Sequence, residues 1–492
     1  MIISLKDNQY KATPWNEATN DDALLDEKQQ ELLKKFSGIS LKELNASKDF
    51  GNFLVFPSVS AKNELDDKDC IFKLVGQDSA KPSFLTGNVM GFFRLGDDVQ
   101  MRITSRFDSS EKNYFLHYML HKVCNVAIVP QETDSEQDDF FDFLYYLFPK
   151  YLSDACRQGI YRAYMNREYN DANVRGSIDV TRHIRLNTPF NGKIAYHTRE
   201  YTTDNKVTQL VRHTIEYIRS LQYGSCVFEN NEDTRDNVND IVASTVSYNR
   251  NSRHQVIAQN LKPITHPYYT AYEPLRKLCL AILCHKKMGY GADTNNPIAG
   301  ILFDGASLWE EYLAKVFEDH KIDLVHSNNR DRENGVRIFE NGGVYYPDFY
   351  KKDSRNSNTI KECNGFVLDA KYKLLYTVNE EKIDGDEGSV ETAGGTNFHF
   401  QRNDLFQMLA YMHTLKASNS ILISLYESCN VDVANSLKFS KDTGKGKSAL
   451  GYGGEIDIIA LPICSKVDSF EEFSNYMRVM EETFIARIKE FL

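Results

Sequence analysis

From about residue 300 to the C terminus, the sequence alternates between helical and strand periodicity. "ASLWEEYLAKVFEDH" places Leu308, Tyr312, Leu313 and Val316 on one face of a helix. Helical patterns return at "RNDLFQMLAYMHTL" and in the last segment, "DSFEEFSNYMRVMEETFIARIKEFL". Between the helices lie "GGVYYPDFY", "NGFVLDAKYKLLY", "SILISLYE" and "GEIDIIALPI", which have the composition of strands. This alternation predicts an α/β domain over residues 296–492, with a mixed sheet flanked by helices.

Two further regions are expected before residue 296, because 492 residues exceed one ordinary core. The strand-like runs "GNFLVFPSV", "GNVMGFFRLGDD" and "VQMRITSRF" predict a mixed or β-rich domain over 1–160, with a hairpin turn at 96–98. Residues 161–295 are expected to be mostly helical. One helix there has Thr203 or Asp204 as its predicted N-cap. Its predicted apolar positions are Val207, Leu210, Val211, Thr214, Ile215 and Ile218.

Composition excludes several classes of protein. No apolar run is long enough to span a bilayer, and the N-terminus lacks the apolar core of a signal peptide. The nine cysteines are scattered without a Cys-x-x-Cys pair, which predicts reduced thiols in the cytoplasm and no zinc site. Since the net charge is −11, any contact with DNA must come from a local basic surface or from a partner.

Arginine and lysine side chains are frequent just before the helix that follows Asp204. They are interleaved with acidic residues, so the pattern fits a solvated surface. It equally fits a face that contacts phosphates or a protein partner. The residues are Arg162, Arg167, Arg175, Arg182, Arg185 and Lys193.

Two acidic motifs lie inside strand-like runs. In "VYYPDFY", Asp348 follows Pro347, which cannot donate to a strand ladder and can end the pairing. In "FVLDAKYK", Asp369 and Lys371 are two residues apart, so they share one side of a strand while Ala370 points to the other. Charged side chains are rarely buried in strands unless they are paired or functional. We therefore expect these two aspartates and the lysine to converge at neighbouring strand ends.

Such a group can hold a divalent cation, and Mg²⁺ prefers hard oxygen ligands. The cation polarises a phosphodiester, and an ammonium orients water or offsets developing charge. The motifs match the pattern of PD-(D/E)xK nucleases, in which a glutamate on the preceding helix often completes the metal site. Glu310 or Glu311 can take that place, while Gln407 and Tyr411 share a face of the following helix. The alternative is a surface salt bridge in the second motif, with the first aspartate as a turn residue.

In these motifs and in several other segments, the chain resembles the McrC family. Its members are the nuclease subunits of McrBC 5-methylcytosine restriction systems and their LlaJI-type relatives. The resemblance is carried by "YYPDFY", "VLDAKYK", "RNDLFQMLAYM" and "GEIDIIALPI". Upstream it includes "FDGASLWEEYLAKVF", "VRGSIDVTRHI", "REYTTDNKVTQLVRHTI" and "GNVMGFFRLGDDVQMRITSRFD". It spans roughly residues 85 to 465, and residues 1–84 and 379–392 match no family pattern.

The resemblance implies a Mg²⁺-dependent DNA endonuclease that docks on an McrB-like AAA+ GTPase and stimulates it through its N-terminal half. GTP and the recognised DNA site would be bound by that partner. On this resemblance Asp348, Asp369 and Lys371 take catalytic positions, supported by Gln407. Glu310 completes the metal ligands with the two aspartates, because it follows Trp309 as in the family pattern.

Two other functions stay open at this point. One is a stand-alone DNA repair or recombination nuclease, which would cleave without GTP. The other is a non-catalytic adaptor of a AAA+ motor that keeps the nuclease fold only for regulation. The presence of every acidic and basic site residue argues against the adaptor.

Overall fold

The computed structural model describes most of the chain. The described residues are 1–9, 11–19, 24–40, 43, 53–56, 70–76, 80–95, 99–108, 113–124, 139–221, 224, 226–229, 231–284, 300–327, 333–352, 365–373, 376–378, 389–391, 396–399, 402–427, 447–448, 454–464, 467 and 469–492.

The chain forms two compact units. The first unit combines Met1–Val123 with Ala299–Leu492, and the second is Cys124–Ile298. The predicted segments 1–160, 161–295 and 296–492 do not coincide with these units. The reason is one strand, Gly300–Asp304, which opens the C-terminal part of the chain but pairs with strands from its N-terminal part.

A five-stranded sheet, here called the N-terminal sheet, contains this pairing. Gly91 lies in its centre with φ +153°, where a Cβ atom would be 2.2 Å from the carbonyl oxygen of Ile301, so only glycine fits. Its buried face includes Ile3, Phe93, Met101 and Leu302. The predicted turn at 96–98 lies outside the described residues, but the strands on either side of it pair antiparallel as predicted. In spatial order the strands are Ile2–Lys6, Val99–Thr104, Val89–Leu95, Gly300–Asp304 and Phe53–Phe56.

A six-stranded mixed sheet, here called the C-terminal sheet, forms the other half of the first unit. Its three middle strands are parallel and its outer strands run antiparallel to their neighbours. Met408 and Met412 of one helix pack with Val367 and Leu422 of the sheet. The predicted α/β organisation of this region is confirmed. In spatial order the strands are Val325–His326, Phe349–Lys351, Gly365–Ala370, Ala417–Glu427, Glu455–Ile463 and Lys447–Ser448.

The helices of the first unit follow the predicted periodicity. The apolar stripe predicted from Leu308 to Val316 is buried, and so are the apolar residues Phe470, Phe473, Met477, Met480 and Phe484 of the last helix. The helices are Trp15–Thr19, Glu27–Phe36, Tyr114–Cys124, Gly305–Asp319, Arg402–Leu415 and Phe470–Lys489. Its remaining strands are Phe72–Val75, Ser83–Thr86, Val336–Arg337, Val344–Tyr345, Tyr376–Val378, Ser389–Glu391 and Thr396–His399.

The second unit is helical apart from one sheet, which follows the helix Asp139–Cys156. The sequence did not predict the antiparallel sheet that lies within residues 163–202 of the segment expected to be mostly helical. Its strands are Ala163–Asp171, Ser177–Ile178 and Ile194–Thr202. Its helices are Asp139–Cys156, Val180–Asn187, Lys206–Arg219, Cys226–Glu229, Glu232–Ser244, the 3₁₀ turn Arg250–Ser252, Arg253–Gln259 and Tyr272–Cys284.

The N-cap of the Lys206–Arg219 helix is Asn205, not Thr203 or Asp204. Its side chain accepts hydrogen bonds from the backbone of Val207 and Thr208. The Asp204 carboxylate is engaged elsewhere, because it accepts from Gln209 Nε2 at 2.5 Å and from the Ser247 backbone at 2.9 Å. All six predicted apolar positions of this helix are buried. Of the helices in the described chain, none combines the length and apolarity that crossing a membrane requires.

A buried carboxylate ties three helices of the first unit together. Glu481 is 1% exposed and accepts hydrogen bonds from the hydroxyls of Tyr118 at 2.8 Å and Tyr312 at 2.6 Å. The Lys122 ammonium lies 2.9 Å away and supplies the opposite charge. The C-terminal helix is thereby connected to Tyr114–Cys124 and to Gly305–Asp319.

We expect Glu481→Ala to lower the free energy of unfolding of the first unit by about 3 kcal/mol, because it leaves two buried hydroxyls and an ammonium without their acceptor. Urea unfolding followed by tryptophan fluorescence measures this, since both tryptophans, Trp15 and Trp309, are buried in that unit. Glu482→Ala, at the exposed neighbouring position, is the matched control. Equal urea midpoints for Glu481→Ala and Glu482→Ala would contradict a stabilising role for the buried Glu481 carboxylate.

Candidate active site

Asp348 is positioned by the second strand of the C-terminal sheet. The predicted strand "GGVYYPDFY" is interrupted around Pro347, so Asp348 directly precedes the strand Phe349–Lys351. That strand runs antiparallel to Gly365–Ala370 with Phe349 opposite Leu368, which brings Asp348 beside Asp369. The Asp348 carboxylate accepts a hydrogen bond of 2.6 Å from the backbone of Ala370. The two motifs are therefore joined at one strand end, as predicted.

Lys371 follows the same strand and returns to the side of Asp369. Its ammonium contacts Asp369 Oδ2 directly and donates to Gln407 Oε1 at 3.1 Å. Its backbone N–H donates to the carbonyl of Ile423 at 2.7 Å, which continues the pairing with the neighbouring parallel strand. The shared face of Asp369 and Lys371 agrees with the period of a strand. This contact is largely withdrawn from solvent, because the side chains are 2% and 17% exposed.

The helix Arg402–Leu415 supplies polar support. Gln407 Nε2 lies 3.4 Å from Asp369 Oδ1 and 3.4 Å from the Tyr411 hydroxyl. Gln407 thus contacts both members of the second motif, and its face is shared with Tyr411 as the helical spacing predicts.

Two residues of the site were missed by sequence reasoning. Asp404 is buried and accepts from Lys373 Nζ at 2.7 Å, and its other oxygen lies 3.7 Å from Lys371 Nζ. Sequence spacing could have indicated both residues. Asp404 lies one helical turn before Gln407, and Lys373 lies two residues after Lys371. The site therefore contains a second carboxylate–lysine pair beside the first.

Glu310 approaches from the helix Gly305–Asp319. Its Oε1 atom lies 2.9 Å from Nε2 of His326, a third residue that the sequence did not indicate. Glu310 also contributes to the raised pKa values of Asp348 and Asp369, so it is within electrostatic reach of both. Glu311 lies about 100° further round the helix.

The site carries an excess of buried negative charge. Burial raises the pKa of Asp348 well above its usual range, and the carboxylates of Asp369 and Glu310 raise it further. Burial also raises the pKa of Asp369, against the opposing effect of Lys371. Burial alone would lower the pKa of Lys371, but Asp369, Asp404 and Asp348 outweigh it and the pKa is raised. A further cation at this place would relieve the repulsion between the carboxylates.

Within the described residues, no three His, Cys, Asp or Glu side chains stand in an arrangement that could hold a metal ion. Two carboxylates nevertheless fit Mg²⁺, which binds through one or two carboxylates and retains several waters. Asp369 Oδ2 is buried and accepts no hydrogen bond within the described structure, although the Lys371 ammonium lies against it. That atom and the Asp348 carboxylate provide hard oxygen donors at adjacent strand ends.

The sequence matches the family model described as "McrBC 5-methylcytosine restriction system component" over residues 85–425. The chain belongs to this family. The McrBC match covers more than half of the chain and includes both acidic motifs and the helix with Gln407. No curated protein sequence matches the chain significantly.

Two solved assemblies show limited similarity to the chain. A chain of the half-complex from a tetradecameric assembly of Thermococcus gammatolerans McrB AAA+ hexamers with bound McrC is 14% identical, with TM-score 0.44, over 98% of this chain and 100% of that chain. A chain of the Thermococcus gammatolerans McrBC complex, solved by cryo-EM, is 12% identical, with TM-score 0.29, over 66% of this chain and 90% of that chain. The family assignment rests on the sequence match alone.

We expect Asp348→Asn to stabilise the metal-free protein. Folding raises the pKa of Asp348, so the ionised carboxyl costs stability at pH values above its folded pKa, and stability falls as the pH rises through that pKa. Asparagine removes the charge and still accepts from Ala370. In EDTA the urea midpoint should exceed that of the wild type at about pH 8, with a smaller difference at about pH 4.

Asp323→Asn, at an exposed position, controls for loss of a carboxylate without burial. It should leave the midpoint unchanged at both pH values. A lower midpoint for Asp348→Asn at about pH 8 would show that its carboxylate is not under electrostatic strain in the folded protein.

Proposed function

We propose that this chain is the nuclease subunit of an McrBC-like restriction complex and hydrolyses phosphodiester bonds of double-stranded DNA with Mg²⁺. The observation that carries this proposal is the convergence of Asp348, Asp369 and Lys371 at neighbouring strand ends, in the order of the PD-(D/E)xK motif. The mixed sheet with helices on either side of the motif in the sequence is the core such nucleases require. The family assignment supplies the restriction system.

The side chains have distinct tasks in this proposal. Asp348 and Asp369 would hold Mg²⁺, and Glu310, predicted from the sequence as a third ligand, would act on the ion electrostatically from the helix. When bound, Mg²⁺ polarises the phosphodiester and lowers the pKa of a nearby water. Lys371 would orient that water or offset charge that develops on the phosphate. Gln407 would hold the ammonium of Lys371 at a defined distance from Asp369.

The proposed partner is an McrB-like AAA+ GTPase, which would bind GTP and recognise the DNA. Two observations support it: the family is that of McrBC components, and one of the two similar solved assemblies contains McrB AAA+ hexamers with bound McrC. A stand-alone nuclease is the second candidate, and cleavage without GTP would distinguish it.

A surface of the second unit fits a protein partner. Val180 and Ile184 lie one turn apart on a short helix and are 62% and 59% exposed, and Phe190 just after it is 68% exposed. Soluble proteins rarely leave such apolar groups together in solvent unless they bind something. Arg175 is 64% exposed beside them in sequence and Arg185 is also exposed. We propose that these residues contribute to partner binding.

Arg182, predicted with them as a contact residue, has a different environment. It is only 11% exposed, and its guanidinium contacts Glu168 and the backbone carbonyls of Tyr169 and Tyr196. The Arg182 guanidinium therefore stabilises the sheet of the second unit and is not free to contact a partner. Charge reversal at Arg175 and Arg185 tests partner binding, whereas reversal at Arg182 would damage that sheet.

Cleavage and partner stimulation should be separable. We expect Asp369→Ala to reduce Mg²⁺-dependent DNA cleavage at least 10²-fold, because it removes a metal ligand and the contact of Lys371. GTP turnover by the partner should still be stimulated, since the second unit is untouched. Plasmid nicking, linearisation and GTP turnover are measured on the same preparations. DNA cleavage at the wild-type rate by Asp369→Ala would refute the assignment of Asp369 to the active site. Loss of GTPase stimulation together with cleavage would refute the proposal that the two activities are separable.

Two adjacent glutamates provide a matched pair for the metal site. Glu310→Gln should lose most cleavage, because Glu310 is the residue that acts electrostatically on Asp348 and Asp369. Glu311→Gln, which removes the same charge one residue further round the helix, should lose little. Cleavage rates are compared across a Mg²⁺ titration. The reverse order would assign the third acidic position to Glu311.

A further inference from the structure

Tyr372 connects the candidate active site to the N-terminal sheet. It follows Lys371 directly and is 5% exposed. Its hydroxyl lies 2.8 Å from Ser105 Oγ, and its ring packs edge-on against Phe107 with centroids 5.1 Å apart. Ser105 and Phe107 come just after the N-terminal-sheet strand Val99–Thr104. The Lys371 side chain therefore points towards the carboxylates, and the Tyr372 side chain packs against residues that follow a strand of the N-terminal sheet.

Arg106 holds the backbone at the same point. Its Nη2 atom donates to the carbonyl oxygen of Tyr372 at 2.6 Å and to Asn88 Oδ1 at 3.2 Å, and its guanidinium lies 4.9 Å from the Tyr372 ring centroid. Asp7, which is fully buried, accepts from the Arg106 backbone at 2.5 Å and pairs with its guanidinium at 3.5 Å. One arginine thus joins the first strand of the chain to the segment that carries Lys371.

The three residues that follow the strand Gly365–Ala370 are held from two sides, by the neighbouring strand Ala417–Glu427 and by Arg106. The Lys371 N–H is bound by the Ile423 carbonyl, the Tyr372 carbonyl by Arg106, and the Lys373 carbonyl by Ser424 Oγ at 2.7 Å. Of these, the arginine contact is the one that comes from the N-terminal sheet. The main chain on both sides of Lys371 is therefore immobilised, which fixes where its ammonium can reach.

The helix that carries Glu310 begins against the same tyrosine. Gly305, its first residue, donates its N–H to the Asn88 carbonyl at 2.9 Å. A Cβ atom at Gly305 would lie 2.8 Å from Cε1 of Tyr372. The Tyr372 ring is thus confined between Gly305 on one side and Phe107 and Arg106 on the others.

We propose that Arg106 is a positioning residue for Lys371, acting through the backbone carbonyl of Tyr372, so that the N-terminal sheet sets the geometry of the nuclease site. The inference rests on the proposed function for its effect on cleavage. Its structural content, that Arg106 controls where the Lys371 ammonium lies, does not depend on the reaction.

The test compares Arg106→Met with Arg102→Met. Arg102 lies on the preceding strand, and its guanidinium is 5.6 Å from the Phe92 ring, so this control removes an arginine from the same sheet. Lys371 is labelled with a limiting amine-acylating reagent, without metal or DNA, and quantified by mass spectrometry against the exposed Lys206. Single-turnover cleavage with the partner gives the maximal rate and the DNA concentration at half-saturation.

Arg106→Met should label Lys371 several-fold faster than the wild type, because the ammonium leaves its contacts with Asp369 and Gln407. The maximal cleavage rate should fall roughly 10- to 100-fold with an unchanged half-saturating DNA concentration. Arg102→Met should resemble the wild type in both. Gly305→Ala, which crowds Tyr372 from the other side, should also raise Lys371 labelling and replaces Arg106→Met if that variant does not fold.

Unchanged Lys371 labelling in a folded Arg106→Met protein would overturn the proposal. So would a loss of cleavage that appears only as weaker DNA binding. If the wild-type complex does not cleave DNA, the proposed function fails, while the labelling result still decides whether Arg106 positions Lys371.

Discussion

The hydrogen bond from the Ala370 backbone to the Asp348 carboxylate is the constraint around which the candidate site is built. It fixes one carboxylate to the backbone between Asp369 and Lys371, so two negative charges and one positive charge lie at a single strand end. Burial then prevents water from screening them, which raises the pKa of both aspartates. The divalent cation that we propose for this place would relieve the repulsion between the two carboxylates.

The structure surrounds this strand end with supports from distant parts of the sequence. Gln407 and Asp404 reach it from one helix, Glu310 from another, and Arg106 from the N-terminal sheet. The first unit is discontinuous in sequence because the strand Gly300–Asp304 completes the N-terminal sheet immediately before the helix of Glu310. The N-terminal region of the chain is therefore part of the scaffold of the site as well as part of the fold.

Local periodicity was sufficient to predict the long helices and the convergence of the two acidic motifs. The helices from Gly305 and Phe470 have apolar stripes that no strand could bury, and the two-residue spacing of Asp369 and Lys371 determines their shared face. Contacts that depend on the packing of remote segments could not be predicted in this way. Arg106 and Tyr372 are 266 residues apart, and the paired strands Ala163–Asp171 and Ile194–Thr202 lack the apolar–polar alternation that would have predicted them.

Manganese binding followed by electron paramagnetic resonance tests most directly whether the acidic cluster is a divalent cation site. We expect the wild type to bind Mn²⁺ in competition with Mg²⁺ and Asp369→Ala not to bind it. Lys371→Ala should bind Mn²⁺ more tightly than the wild type, because its ammonium no longer lies against the Asp369 carboxylate. Equal Mn²⁺ binding by the wild type and Asp369→Ala would contradict the central claim.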